Sequence, residues 1–116
     1  MPRKSVFEMG LSRLYQALVN KAERKGRTRE EVDQVTCWLL GYKPDELRAL
    51  IAQDIPYGKF LSNAPQVNER ADLITGTICG MRVETIEDPL TKRMRQLDKL
   101  VDELARGKAM DKILRA

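Results

Sequence analysis

Hydrophobic residues recur every three or four positions along most of the chain, which is the spacing of amphipathic helices. A first stripe predicts a helix over residues 7–25, which Gly26 ends. This stripe consists of Phe7, Leu11, Leu14, Tyr15, Leu18 and Ala22. In "TREEVDQVTCWLLG", Thr28 and Glu31 have the spacing of a capping box, so a second helix begins there and runs to Gly41.

The middle of the chain is less regular. Pro44 suits the first position of a third helix, and a short helical piece is predicted over residues 57–61. Asn68 is placed to cap a further helix, with Leu73, Ile74, Thr77, Ile78 and Met81 along one side and Gly76 and Gly80 on one face. The β-branched residues and glycines of "LITGTIC" also fit a single buried strand, although no partner strands are evident. We expect the helix and keep the strand as the alternative.

The last long helix has the clearest pattern. Asp88 is a favoured N-cap residue and Pro89 a favoured first residue, and the pattern predicts a helix over 89–106. Its apolar stripe is Leu90, Met94, Leu97, Val101 and Leu104, with a final short helix after Gly107. The stripe spans about two heptads. It therefore suits a core helix of a bundle or, alternatively, a helix shared with a second subunit.

These elements predict an all-α fold. A chain of 116 residues has the length of one domain, so we expect residues 1–116 to form a single compact bundle of five to seven helices. The 89–106 helix is its predicted spine. Aromatic residues make up only 5% of the chain, so aliphatic side chains must fill the core.

Composition excludes several kinds of chemistry. Histidine is absent, which removes the commonest metal ligand and the usual general base near neutral pH. The two cysteines, Cys37 and Cys79, each lie in an apolar segment, and we expect two buried free thiols. Neither a four-ligand zinc site nor a Ser-His-Asp arrangement can be built from these residues alone. No cofactor or metal is predicted.

Charge and hydropathy bear on location and partners. No apolar stretch approaches the roughly 20 residues of a membrane span, and "MPRKSVFEMG" lacks the apolar segment of a secretory signal. We therefore expect a cytoplasmic protein without membrane association. The net charge of +4 falls short of the dense cationic face typical of nucleic-acid-binding domains, so such a partner is disfavoured.

One charged cluster precedes the last long helix, in "GMRVETIEDPLTKR". Arg82, Glu84, Glu87 and Asp88 fit a ligand-binding or acid–base site with an arginine clamp. They also fit a helix start with its usual capping and ion-pairing groups, which we favour because nothing local supplies a nucleophile, a metal cage or a phosphate loop.

A second candidate is the basic segment "KAERKGRTR". Its residues Lys21, Arg24, Lys25, Arg27 and Arg29 fit either a solvated surface, which we favour, or a weak phosphate or RNA contact. The two helices within residues 28–53 also resemble a helix-turn-helix. Asp45 and Glu46 stand at the start of its second helix, where they would repel DNA, so a helical hairpin without DNA contact is favoured.

Three blocks of the chain resemble a known family. "KAERKGRTREEVDQVTCWLLGY", "LITGTICGMRVETIEDPL" and "LDKLVDELARGKAMDKILR" are similar to the small bacterial proteins of domain-of-unknown-function family 2200. The resemblance implies a compact, free-standing cytosolic bacterial protein. It brings no activity, ligand or catalytic residue.

The favoured functional interpretation is a non-enzymatic structural or protein-interaction module that self-associates, as a dimer. It depends on the lack of a recognisable catalytic constellation and on the two-heptad stripe, which a bundle poor in aromatics would bury across a two-fold axis. The alternatives are a ligand-binding or catalytic site at the Arg82 cluster and weak nucleic-acid binding through residues 21–29. The sequence does not identify a small-molecule ligand.

Overall fold

The structure, a computed structural model, describes residues 5–115. Six α-helices lie within them: α1 (Leu11–Glu23), α2 (Arg29–Leu40), α3 (Pro44–Gln53), α4 (Tyr57–Ser62), α5 (Pro89–Ala105) and α6 (Met110–Ile113). Three 3₁₀ turns (Val6–Glu8, Glu69–Leu73 and Val83–Thr85) and a hairpin of β1 (Thr77–Ile78) and β2 (Met81–Arg82) complete the fold. The prediction of an all-α protein with five to seven helices is confirmed.

Helix α5 is the spine of the bundle. It packs against α1, α2 and α4, and the hairpin and α6 lie against it as well. The stripe residues Met94, Leu97 and Val101 are at most 7% exposed, and Leu100 and Leu104 are fully buried. The chain's own helices therefore cover most of this stripe, as expected of a core helix, which leaves little of it for a seam with a second subunit.

Local signals in the sequence predicted most helix ends correctly. Thr28 and Glu31 form the capping box: the Thr28 N–H donates to Glu31 Oε1 (3.0 Å), and the Glu31 N–H donates to Thr28 Oγ1 (3.2 Å). Gly41 ends α2 in the left-handed conformation, with φ of 84°. Pro44 and Pro89 each occupy the first position of their helices. All these devices need only residues close in sequence.

The first helix begins later than predicted. Residues 7–10 are not α-helical, and α1 starts at Leu11. The Leu11 N–H donates to Ile55 O (2.8 Å), and the Tyr57 N–H donates to Met9 O (2.8 Å). These long-range bonds hold Met9 and Gly10 in extended form beside the chain before α4, so tertiary pairing overrides the helical periodicity here.

The predicted helix after Asn68 is wrong. Asn68 is a cap, since its Oδ1 accepts from the Arg70 N–H (2.8 Å), but it caps a 3₁₀ turn that ends at Leu73. Gly76 has φ of 108°, and the hairpin that follows pairs Thr77 with Arg82 and Ile78 with Met81. The strand alternative was nearer the structure, although its partner is the next few residues of the same chain.

The turn of this hairpin explains why the segment is not helical. Cys79 has φ of 50° and Gly80 has φ of 78°, so two successive residues adopt positive φ, as in a type I′ turn. Gly76 and Gly80 therefore share no helix face. Cys79 is exposed at the turn and Cys37 is partly buried, so the prediction of two buried thiols is also wrong, although both cysteines are free.

Two buried acidic residues of α5, Asp102 and Glu103, bind basic side chains from other parts of the chain. Glu103 accepts from Arg115 through both carboxylate oxygens, at 2.6 and 2.9 Å, and thereby ties the segment after α6 to the spine. Asp102 lies 3.3 Å from Lys21 of α1 and 2.8 Å from Arg106. Because both carboxylates are buried, these partners compensate charges that would otherwise be costly to desolvate.

Candidate functional site

The predicted charged cluster lies at a corner of the surface. Arg82 Nη1 is 3.8 Å from Glu84 Oε1, and the Arg82 side chain is 73% exposed. Glu84 Oε2 accepts from the Gly76 N–H (3.1 Å), so its carboxylate helps to hold the hairpin. An ion pair this exposed contributes little stability. The structure thus brings Arg82 and Glu84 together, and the Glu84 carboxylate also stabilises the hairpin through its hydrogen bond from Gly76.

Asp88 caps α5. Its Oδ2 accepts from the Thr91 N–H (2.9 Å) and from Thr91 Oγ1 (2.7 Å), and these bonds lower the pKa of Asp88 below its usual value. The pKa of Glu84 is also lowered, by backbone hydrogen bonds from its own N–H and from Gly76. A general acid near neutral pH needs a raised pKa. Both shifts therefore point away from proton donation.

The four cluster residues do not line one pocket. Asp88 borders an apolar groove of about 460 Å³ together with Leu90 of α5, Leu61 of α4 and Arg93, whereas Arg82, Glu84 and Glu87 do not border it. Glu87 is exposed. The structure thus gives a capping role to Asp88 and an ion pair to Arg82 and Glu84, and it does not bring all four side chains around one cavity.

The basic segment divides into two groups. Arg27 donates to Glu31 Oε2 (2.7 Å) and to the carbonyl oxygen of Lys108 (2.8 Å), so it links the start of α2 to the chain after α5. Lys21 pairs with Asp102. Arg24, Lys25 and Arg29 are exposed, so the basic surface is smaller than the predicted patch.

A cleft between α1, α4 and α5 brings together three polar side chains that the sequence did not single out. They are Tyr57 at the start of α4 and Arg95 and Asp98 of α5. Its volume is about 280 Å³, and apolar side chains that include Leu14, Leu18 and Met94 form its walls. We call this the Tyr57 cleft. A few polar groups in a mainly apolar concavity are typical of small-molecule sites.

The two charged residues of the Tyr57 cleft, Arg95 and Asp98, form a largely buried ion pair. Arg95 Nη1 donates to Asp98 Oδ2 (3.2 Å), and both side chains are about three-quarters buried. Within residues 5–115, Arg95 Nε is a buried donor without a hydrogen-bond acceptor. Such a donor costs about 1–3 kcal/mol and is rare in native proteins. Among the described residues, the guanidinium therefore lacks an acceptor for one of its N–H groups.

Burial also changes the proton affinities in the cleft. It raises the pKa of Asp98, and the attraction of Arg95 offsets this only in part. The pKa of Tyr57 is raised as well, first by burial and then by the negative charge of Asp98. Titratable residues in a cleft whose pKa values are shifted by burial and by charged neighbours are candidates for a functional site.

The sequence contained part of this signal. Arg95 and Asp98 are three positions apart, so they share a helix face, but such pairs are common on helix surfaces. Their burial depends on Tyr57 and Leu14, which lie on other helices. Only the tertiary arrangement identifies the cleft.

Two further structural properties concern metals and membranes. In the part of the chain that the structure describes, no three histidine, cysteine or acidic side chains are grouped so that they would hold a metal ion. Among the same residues, no helix combines the length and hydropathy that crossing a bilayer requires.

Cys37 lies in a different groove from the Tyr57 cleft, and burial raises the pKa of its thiol.

Comparison with known proteins gives a family and a related fold. The bacterial family described as "Uncharacterized protein conserved in bacteria (DUF2200)" matches residues 5–115. A crystal structure described as that of "uncharacterized protein SP1917" is 43% identical to the chain, covers 98% of this chain and 95% of its own, and has a TM-score of 0.91. No curated protein matches. Neither description names an activity or ligand.

Proposed function

We propose that this chain, which belongs to the bacterial family of uncharacterised proteins DUF2200, is a non-enzymatic binding module that takes a small, mainly apolar molecule into the Tyr57 cleft. The observation that carries the proposal is the largely buried pair of Arg95 and Asp98 in the wall of this cavity, whose other walls are mainly apolar and whose volume is about 280 Å³. Because Arg95 lines the cavity, a ligand oxygen there could accept a hydrogen bond from its guanidinium.

A binding role is better supported than catalysis. The acidic side chains near the surface have structural bonds: Asp88 caps α5, and Glu84 bonds to Gly76. The sequence has no histidine, and Asp98 already pairs with Arg95. The cleft therefore offers shape, apolar contact and hydrogen bonds, but no nucleophile next to a general base.

The proposal is tested by titrating the ¹⁵N-labelled full-length protein with toluene, benzyl alcohol and benzoate. We expect saturable shifts of the backbone amides of Leu14, Leu18 and Met94 with at least one probe. Ala17→Phe fills the cleft, since Ala17 is an exposed residue at its edge, and should abolish the shifts. Ala49→Phe is the matched control, because Ala49 is an exposed helix residue that borders a different apolar groove.

Two outcomes would contradict a binding role for this cleft. One is the lack of saturable shifts with all three probes. The other is a set of shifts that Ala17→Phe leaves unchanged, because the probes would then bind elsewhere.

Self-association is a second proposal, with a different surface from the predicted α5 seam. Leu73, at the end of the second 3₁₀ turn, and Met81, in β2, are large apolar side chains that are 55% and 40% exposed. The segment from Leu73 to Met81 is fixed at several points: Arg115 donates to Leu73 O (3.4 Å), and Lys99 donates to Thr77 O (3.2 Å). A fixed surface loses little conformational entropy when a second copy binds.

Sedimentation across a range of concentrations tests this proposal. We expect a reversible dimer that Leu73→Ser/Met81→Lys abolishes, whereas Ala49→Ser, on an exposed face of α3, should leave it unchanged. A monomer at millimolar concentration would contradict it. Weak nucleic-acid binding through Arg24, Lys25 and Arg29 remains a separate proposal, for which salt-dependent retention on heparin is the test.

A further inference from the structure

The size, charge and hydrogen-bonding groups of the Tyr57 cleft limit the chemical class of its ligand, provided that the cleft binds a ligand as proposed above. Size sets the first limit. A protein cavity of about 150 Å³ can hold benzene. The cleft, at about 280 Å³, has room for one six-membered ring with a short substituent. The apolar side chains of Leu14, Leu18 and Met94 suit such a ring.

Charge sets the second limit. Asp98 Oδ2 lies 3.2 Å from Arg95 Nη1, so the two side chains form a compensated pair in the cleft wall. Lys21, the other cation whose charge acts on Asp98, is itself paired with Asp102. An anionic ligand would gain the attraction of Arg95 and meet the repulsion of Asp98, and a cation would meet the reverse. A neutral ligand avoids both repulsions and the cost of desolvating a charge.

Hydrogen bonding sets the third limit. Arg95 lines the cleft, and its guanidinium has five N–H donors, one of which, on Nη1, bonds to Asp98. Asp98 uses Oδ2 for Arg95, and an ionised carboxylate accepts several bonds. A hydroxyl group can accept from the guanidinium and donate to the carboxylate at once. An ether can do only the first, and a hydrocarbon can do neither.

We infer that the Tyr57 cleft binds a neutral, single-ring alcohol, with its ring against Leu14, Leu18 and Met94 and its hydroxyl between Arg95 and Asp98. The ring supplies apolar burial, and the hydroxyl satisfies the charged pair without adding net charge. This defines a class of ligand by its shape and hydrogen-bonding groups.

Four probes of the same ring size test the class: benzyl alcohol, anisole, toluene and benzoate. Each is titrated into the ¹⁵N-labelled full-length protein, and both the backbone amides of the cleft and the Nε–Hε resonance of Arg95 are followed. We expect benzyl alcohol to bind roughly tenfold more tightly than toluene or benzoate, as one hydrogen bond to a charged group allows, with anisole between them. Benzyl alcohol should also shift the Arg95 resonance.

A charge-reversing variant sharpens the test. Asp98→Asn keeps the size of the side chain and removes its negative charge, so benzoate should overtake benzyl alcohol in affinity. Amide spectra of the variant show whether it remains folded, and Asp45→Asn, at an exposed position of α3, is the matched control with an unchanged order of affinities.

The outcomes separate this inference from the proposed function. Binding that Ala17→Phe abolishes, with benzoate or toluene as tight as benzyl alcohol, would overturn the ligand class and leave a binding cleft. Equal affinity of anisole and benzyl alcohol would overturn the role of Asp98 as an acceptor. Binding of none of the four probes would overturn the proposed function itself.

Discussion

The carboxylate of Asp54, at the end of α3, accepts a hydrogen bond from the backbone N–H of Ser12 in the first turn of α1 (2.9 Å). Asp54 has φ of 52°, the left-handed conformation that ends α3. Space for its side chain exists because position 10 is a glycine: a Cβ at Gly10 would clash with the carboxylate of Asp54. One residue therefore ends a helix and caps another that lies 42 positions earlier in the chain.

The first prediction is that Gly10→Ala and Asp54→Ala act through the same contact. Each single change should lower the melting temperature, because the first displaces the capping carboxylate and the second removes it. The double variant should be about as stable as the less stable of the two single variants, because both changes remove the same hydrogen bond. Thermal unfolding of the four proteins measures this cycle. Asp45→Ala, combined with Gly10→Ala, is the control, and its effect should be additive because Asp45 is highly exposed on α3.

The second prediction concerns pH. Hydrogen bonds from the backbone and side chain of Ser12 hold the pKa of Asp54 below its ordinary value of 3.8. A carboxyl with a lowered folded-state pKa stabilises the fold above its unfolded pKa, and this contribution is lost as the pH falls through the folded-state pKa. The difference in melting temperature between the wild type and Asp54→Asn should thus be constant near neutrality and shrink below about pH 3.8. A difference that grows in acid would contradict the cap.

The sequence predicted those features whose cause is local. Thr28 and Glu31, Pro44, and Asp88 with Pro89 mark helix starts through residues within three or four positions, and all three starts are correct. By contrast, the start of α1 was misplaced because Met9 and Leu11 bond to residues more than 40 positions away. Distant backbone partners leave no trace in hydrophobic periodicity.

The hairpin shows a second limit. "LITGTICG" contains apolar residues that also fit a helix, and the turn that excludes a helix places Cys79, a non-glycine residue, at positive φ. Sequence patterns rarely predict that conformation at a cysteine. The candidate site shows a third limit, since Arg95 and Asp98 resemble a surface ion pair until Tyr57 and Leu14 of other helices enclose them.

The third prediction is that Gly41→Ala is far more destabilising than Gly107→Ala. Both glycines have φ near +85°, so both changes incur the cost of a left-handed alanine, about 1–2 kcal/mol. At Gly41 the new Cβ would also lie 2.5 Å from the backbone oxygen of Gln66, whereas nothing lies within 4 Å at Gly107. Urea unfolding should show a clear excess loss for Gly41→Ala. Equal losses would mean that the chain around Gln66 yields easily.

The fourth prediction is that Cys79→Asn stabilises the protein. Cys79 and Gly80 form the two central residues of the hairpin turn, and both have positive φ. Asparagine tolerates this conformation better than cysteine, and Asn-Gly is the preferred pair in such turns. We expect a gain of a few tenths of a kcal/mol up to about 1 kcal/mol, measured by thermal unfolding under reducing conditions. Cys79→Val, whose β-branched side chain opposes positive φ, should have the opposite effect.

The fifth prediction separates the stability of the Arg95–Asp98 pair from its function. Asp98→Leu alone leaves the guanidinium largely buried without its partner, so the free energy of unfolding should fall by about 3 kcal/mol, the low end for a broken buried pair. In Arg95→Met/Asp98→Leu both charges are replaced by apolar groups of similar size, and such replacements are often neutral or stabilising. The double variant should therefore unfold within about 1 kcal/mol of the wild type, as measured in urea.

The same double variant should no longer distinguish benzyl alcohol from toluene, because both hydrogen-bonding partners of the hydroxyl are gone from the Tyr57 cleft. If the fold is stable without the Arg95–Asp98 pair but the protein then fails to distinguish the two ligands, the pair is explained by binding. If the double variant is as unstable as Asp98→Leu alone, the pair is needed for packing. If it keeps the preference for benzyl alcohol, the hydroxyl binds other groups, because neither charge would then contribute to recognition.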